Sequence, residues 1–139
     1  RKIPTMLNYK THISKESMFN TPPVFSIYVS MLTLEWLKDL GGIEAIEKIN
    51  QEKANLLYDE IDNNPVFIGT ANKEDRSNMN VCFLLKDNNK EELFNKLCDN
   101  AGINGIKGHR SVGGYRASIY NAMPIESVQT LVDIMQKLK

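Results

Sequence analysis

Between residues 22 and 40 apolar positions follow one another almost without interruption. The run Val24-Phe25-Ser26-Ile27-Tyr28-Val29-Ser30-Met31-Leu32-Thr33-Leu34-Glu35-Trp36-Leu37 is apolar nearly all round. A helix with this pattern is buried on most of its faces, so the run predicts a core or interface helix. Thr21 supplies an N-cap, Pro22 and Pro23 fall at the first helical positions, and Gly41-Gly42 stops the helix. Ser and Thr punctuate the run, which is shorter than the about 20 apolar residues that a bilayer span needs. The next segment changes character. From Ile43 to Asp62, Ile46, Ile49, Lys53 or Ala54, Leu57 and Ile61 recur on one face while Glu44, Glu47, Lys48, Glu52 and Asp59 fall elsewhere. That is an amphipathic helix, roughly 30 Å long by helical rise, ended by Asn63-Asn64-Pro65.

Beyond residue 65 the apolar runs shorten and tend toward a period of two. Val66-Phe67-Ile68 predicts a short strand, Gly69 to Ser77 a polar connection, and Met79 to Leu85 the clearest strand. Asn89, three residues before Glu92, has the spacing of a capping box, and the helix behind it buries Leu93, Phe94, Leu97 and Cys98 before Gly102 closes it. Ile103 to Lys107 and Arg116 to Tyr120 are two further strand candidates. A last helix starting at Pro124 buries Ile125, Val128, Leu131, Val132, Met135 and Leu138, with Lys137 and Lys139 at its negative end. Strand, strand, helix, strand, strand, helix predicts an α+β two-layer fold of the α/β class: a mainly antiparallel sheet with helices on one face, preceded by two long helices. Residues 1–21 carry no sustained period and read as an extended segment lying across something larger.

Charge narrows the choice of function. Seventeen basic residues balance seventeen acidic ones in 139 residues, so no overall field draws the chain to nucleic acid or to an anionic membrane. Any anion binding is local. Cys82 and Cys98 match no metal-ligand spacing and are too few for a disulfide framework, which leaves them reduced, packed side chains of a cytoplasmic protein. The chain opens abruptly at Arg1, without an apolar signal region, and reads as a piece of a longer protein.

Local anion chemistry is concentrated in residues 108–124, where His109, Arg110 and Arg116 surround the Gly113-Gly114 pair and lead through a short apolar run to a proline-started helix. An arginine grips a carboxylate or phosphate with a planar fork of donors, and histidine adds a titratable one. Glycines allow positive φ and close backbone approach to a ligand. The same spacing is also that of a β-turn carrying two surface arginines. A second candidate is the run from Ser17 to Pro23, where a helix N-terminus meets the side chains of Asn20 and Thr21; two prolines remove N–H groups that a phosphate site normally uses.

Four runs together carry a family resemblance: Met18-Phe19-Asn20-Thr21-Pro22-Pro23, Trp36-Leu37 through Gly41-Gly42, Arg76 through Val81, and Gly108-His109-Arg110 through Ala122. In this order, over essentially the whole chain, they resemble the phosphoserine aminotransferases, pyridoxal-phosphate enzymes of serine biosynthesis. The resemblance implies the small domain of a fold-type I enzyme, with residues 1–65 forming the tail of a large domain, an interface helix and a bridging helix, and residues 66–139 the C-terminal small domain. It implies a homodimer in which Asn20 and Thr21 reach the phosphate of the neighbouring subunit's cofactor. His109 and Arg110 would lie near the substrate's phosphate or distal carboxylate, and Arg116 would clamp the α-carboxylate. The substrates implied are glutamate and 3-phosphohydroxypyruvate on one side and phosphoserine and 2-oxoglutarate on the other, with 4-phosphohydroxythreonine, an intermediate of pyridoxine biosynthesis, also allowed.

The family's Schiff-base lysine, its ring-stacking aromatic and its ring-nitrogen aspartate would all lie upstream of Arg1. No residue of this chain is therefore assigned as catalytic, and the chain alone is expected not to transaminate. Lys53 and Lys107 match no cofactor motif and read as solvated side chains. The alternative is a non-catalytic module that binds a small anion such as phosphoserine, distinguished by whether coding sequence for a cofactor lysine lies upstream.

Overall fold

The computed structural model describes residues 2–111 and 113–139; Arg1 and Val112, the latter inside the 108–124 stretch, lie outside them. The chain divides into two compact units, Arg1–Gly42 and Ile43–Lys139.

The first unit holds a 3-10 turn at Thr5–Leu7, a short helix α1 (Tyr9–Ile13) and the long helix α2 (Val24–Asp39). The expectation that Thr21 caps α2 is corrected: the N-cap is Pro23, and no side chain caps the helix. Pro22 precedes a proline, which disfavours helical backbone there, and Pro23 sits at φ −74°, ψ 72°, so Val24 is the first helical residue. The hydroxyls of Ser30 and Thr33 turn inward and donate to the carbonyls of Ser26 and Val29 at 2.8 and 2.9 Å. Two of the polar side chains thus satisfy themselves within the helix, and α2 presents a largely apolar perimeter ahead of Glu35. No residue of α2 is buried among the described residues, and Phe25 is 80% exposed, so within this chain the apolar surface is uncovered. The described residues of this unit include no buried side chain at all. A 3-10 turn and a five-residue helix cannot cover four turns of apolar surface.

The second unit opens with α3 (Gly42–Asn63). Strands β1 (Phe67–Gly69), β2 (Asn80–Leu85) and β3 (Tyr115–Ser118) form an antiparallel sheet in the order β1-β2-β3, with Phe67 opposite Leu85, Phe83 opposite Tyr115 and Asn80 opposite Ser118. Helix α4 (Glu91–Asn100) falls between β2 and β3, and α5 (Ile125–Gln136) closes the chain. Phe67, Val81, Phe83, Leu85, Tyr115 and Ala117 point from the sheet into one continuous core shared with α3, α4 and α5. Arg116 faces the opposite side, in register with Cys82. This is the expected α+β arrangement of an antiparallel sheet covered by helices on one face. Cys98 is a buried free thiol, pushed up to about 11 first by desolvation and then by the nearby Asp99.

Several local expectations are overturned for physical reasons. The run 103–107 forms no strand: Gly105 takes φ +71°, and only Lys107 pairs, as a single bridge to Tyr115. The N-cap of α4 is Lys90, without a side-chain hydrogen bond; ahead of it the Asp87 carboxylate accepts from the Asn89 N–H at 2.9 Å and starts a 3-10 turn at Asn88–Lys90 that runs on into the helix, so Asn89 makes no capping box. Ile125 is 37% exposed because it opens α5 ahead of the turn that meets the core. Lys53, expected in solvent, is completely buried. It lies on the apolar face of α3, where its stem packs and its ammonium meets backbone carbonyls.

Polar joints near the C-terminal end of α3 tie it to the rest. Buried Asn64 donates to Glu60 Oε1 at 2.6 Å and to the Met135 carbonyl at 3.0 Å, and accepts from the Val66 N–H at 3.0 Å, joining the ends of α3 and α5 to the start of β1. At the other joint, both terminal nitrogens of Arg76 grip Asp62, at 2.9 and 2.6 Å, while the guanidinium lies 4.4 Å from the centroid of the Tyr58 ring. Hydrogen bonding from Arg76 holds the Asp62 carboxyl at about 2. Because the folded value is depressed, the stabilisation is present above the unfolded value near 3.9 and is lost as pH falls through about 2. Solvent reaches this pair, so it is worth about 1 kcal/mol. The stability difference between the native protein and Asp62→Asn, from urea unfolding, is expected to vanish between pH 5 and pH 2; a difference constant over that range would count against the pair.

Candidate active site

The hairpin that carries the cations is closed by backbone. Lys107 bridges Tyr115, and the Gly108 N–H donates to the Gly114 carbonyl at 2.8 Å. A Cβ at Gly108 would lie 2.2 Å from the Gly113 carbonyl oxygen, so only glycine allows this crossing. Gly114 adds φ +67°, with Phe83 O 2.9 Å from the place of a Cβ. The glycines thus make possible a tight return that sets His109 and Arg110 at an exposed tip and delivers Arg116 two residues later on β3.

At the tip, His109 Nδ1 accepts from the Ser111 N–H at 3.3 Å and lies 2.7 Å from the Ser111 hydroxyl, while the Gly113 N–H donates to the His109 carbonyl at 2.8 Å. With Nδ1 used as an acceptor, the neutral ring carries its proton on Nε2, which becomes the outward donor. Arg116 is held by its backbone N–H, which donates to the Ile106 carbonyl at 2.7 Å, and its side chain is exposed. Among the described residues no carboxylate stands within 4 Å of the guanidinium of Arg110 or Arg116. Both forks are available to an external anion.

Arg116 lines a half-open cleft of about 490 Å3 along the free edge of β3, together with Asn104, Ser118, Tyr120, Ser127 and Thr130. The cleft combines one cation with several neutral donors, a composition suited to a small carboxylate or phosphate ligand. Asn80 borders the same face of the sheet, where its Oδ1 accepts from the hydroxyls of Ser118 at 3.2 Å and Tyr120 at 3.3 Å. Sequence reading assigned Asn80 no role; its Cα partnership with Ser118 appears only once the strands are in register.

His109, Arg110 and Arg116 therefore belong to one hairpin of the second unit. Asn20 and Thr21 lie in the first unit, both exposed, and the Asn20 amide donates to Met6 Sδ at 3.6 Å. An exposed amide and hydroxyl are the neutral donors that a phosphate accepts.

The family model for class-V aminotransferases matches residues 2–131. The chain belongs to the class-V aminotransferases. Within that family it is 67% identical over its full 139 residues to a phosphoserine aminotransferase of Flavobacterium psychrophilum, covering 39% of that relative. It is similar in structure to the phosphoserine aminotransferase from Bacillus circulans subsp. alkalophilus, with a TM-score of 0.86 and 44% identity over 97% of this chain and 38% of the other. A pyridoxal-phosphate-bound phosphoserine aminotransferase from Trichomonas vaginalis matches with a TM-score of 0.82 and 38% identity over 96% of this chain and 39% of the other. The chain thus spans about two-fifths of the length of the relatives it matches.

Proposed function

We propose that this chain is the C-terminal portion of a phosphoserine aminotransferase that exchanges an amino group between glutamate and 3-phosphohydroxypyruvate in serine biosynthesis. In this reading residues 1–65 contribute the tail of a large domain, the interface helix and a bridging helix, and residues 66–139 the small domain. The observation that carries it is Arg116, an exposed guanidinium with no acidic partner among the described residues, in a cleft of small-ligand size. Similarity to phosphoserine aminotransferases supports the choice of ligand.

Arg116 takes the α-carboxylate common to glutamate and phosphoserine, because a planar fork matches a planar anion. Arg110 and the Nε2–H of His109 take the phosphate or the distal carboxylate, since a dianion needs more than one donor. Asn20 and Thr21 donate to the cofactor phosphate of a second subunit in a homodimer, whose contact surface includes the uncovered apolar perimeter of α2. Bound pyridoxal phosphate supplies the electron sink for amino transfer. None of the lysines here is assigned to it covalently: Lys53 has all three donors occupied by carbonyls, and Lys107 is an exposed residue at the hairpin base.

The full-length enzyme, supplied with glutamate and 3-phosphohydroxypyruvate, is expected to release 2-oxoglutarate. With unphosphorylated hydroxypyruvate, kcat/KM is expected to fall about 100-fold, through loss of two charge-assisted interactions. Equal use of the two keto acids would overturn the phosphate assignment of His109 and Arg110.

A further inference from the structure

Lys53 is fully buried in the middle of α3. Its ammonium donates to the carbonyls of Ile119 at 3.2 Å, Tyr120 at 2.7 Å and Met123 at 3.0 Å. An ammonium has three donors and no acceptor, so these three contacts exhaust it. Among the described residues no carboxylate stands within 4 Å of it. Placing an unpaired cation in a core is expensive, and an apolar side chain of similar length would pack there without that penalty. What the lysine does, and a methionine cannot, is hold three carbonyls that face one point.

Those carbonyls belong to the segment that follows β3, where regular pairing has ended. Its backbone hydrogen bonds are few: Ile119 N–H to the Met79 carbonyl, and the Met123 N–H to the same Tyr120 carbonyl that Lys53 uses. Ile119, Tyr120 and Met123 all line the cleft that contains Arg116. One turn earlier on α3, Asn50 Nδ2 donates to Asn121 Oδ1 at 2.8 Å, so α3 grips the segment from behind at two levels. β3 is an edge strand, tied on its outer side around Arg116 by the Lys107–Tyr115 bridge, with the Gly108 N–H on the Gly114 carbonyl and the Arg116 N–H on the Ile106 carbonyl. Beyond Ser118 the lysine holds three carbonyls of the cleft wall, beside the Ile119–Met79 and Asn50–Asn121 hydrogen bonds.

We propose that Lys53 is a positioning residue for the Arg116 cleft, a built-in cation whose three hydrogen bonds clasp Ile119, Tyr120 and Met123 and so set the cleft wall. The role in substrate binding rests on the function proposed above; the clasp itself does not. Carbonyl oxygens converging in this way also accept a free monovalent cation, which makes the clasp open to chemical rescue.

The test uses the full-length aminotransferase. Lys53→Met keeps the bulk of the stem and removes the charge, while Lys53→Ala leaves room for a small ammonium ion. Both variants are expected to raise KM for glutamate and for phosphoserine about tenfold with kcat changed by less than about twofold. Ethylammonium is expected to restore both KM and the thermal midpoint of Lys53→Ala; tetramethylammonium, which has no N–H, is expected to restore neither. In the native protein with isotope-labelled lysine, the Lys53 ammonium resonance is expected to shift when glutamate saturates the enzyme, a readout that needs no variant to fold. A lowered thermal midpoint with unchanged KM, equal effects of the two ammonium ions, or an unmoved resonance at saturation would overturn the proposal. Failure of the native enzyme to transaminate, with ethylammonium still restoring the midpoint of Lys53→Ala, would refute the proposed function while upholding the clasp.

Discussion

Arg116→Ala is expected to lower kcat/KM of the full-length aminotransferase about 100-fold for glutamate and for phosphoserine alike. Two parallel charge-assisted hydrogen bonds from a guanidinium to a carboxylate are together worth about 3 kcal/mol, which is that factor. The loss falls on both amino donors because both carry the α-carboxylate, and only one carries a phosphate. Arg116→Lys keeps the charge and loses the fork, so it is expected to recover about tenfold of the loss. Stability is expected to be almost unchanged, because the Arg116 side chain lies on the exposed face of β3 and forms no ion pair among the described residues. Steady-state kinetics with each donor distinguish the possibilities. An effect confined to phosphoserine would move Arg116 to the phosphate, and no effect on either would remove it from the site.

The second large effect belongs to the core. Phe94 is fully buried and meets three other aromatic rings: Phe67 at 5.5 Å, Phe83 at 6.2 Å and Tyr115 at 4.8 Å between centroids. Phe94→Ala removes the α4 ring that joins β1, β2 and β3 at one point, and leaves a cavity that three rigid rings cannot collapse to fill. The expected loss is about 4 kcal/mol, a large share of the whole stability of a domain this size. Phe94→Leu, which keeps most of the volume, is expected to lose about 1.5 kcal/mol. Urea midpoints at constant slope measure both. A loss below about 1.5 kcal/mol for Phe94→Ala would mean that the aromatic cluster relaxes around the gap. Because Tyr115 stacks on Phe83 at 5.4 Å and immediately precedes Arg116, a weakened core is also expected to loosen the strand that carries Arg116.

Several elements were legible in the order of the residues alone. The amphipathic face of α3, the alternation along β2 and the buried stripe of α5 follow from periodicity, because burying one face leaves a repeat of 3.6 or 2 in any chain. The Gly113-Gly114 pair was legible for a related reason: a turn that needs positive φ favours glycine, and the two residues take φ +75° and +67°. The candidate cations were legible as residue types, and the family resemblance placed them in order.

Other features could not be read from order. Asp87 rather than Asn89 supplies a side-chain cap, to the 3-10 turn ahead of α4, and α2 starts after Pro23 with no side-chain cap, because backbone geometry at each start decides which side chain can reach a free N–H. The run 103–107 has strand-like composition, but whether a strand forms depends on a partner being within reach, and only Lys107 finds one. A lysine on an apolar face is neutral evidence in a sequence. Its meaning changes when a segment 66 residues or more away turns three carbonyls toward it. By itself, the sequence determined which residues can be buried, where backbone must be glycine and which side chains can hold an anion, since these are properties of residue types and local spacing. Tertiary structure decided which capping, pairing and charged groups met a partner: the open Arg116 cleft at the edge of β3, and the ammonium of Lys53 behind it. Those outcomes depend on distances between residues far apart in the chain, and folding alone sets such distances.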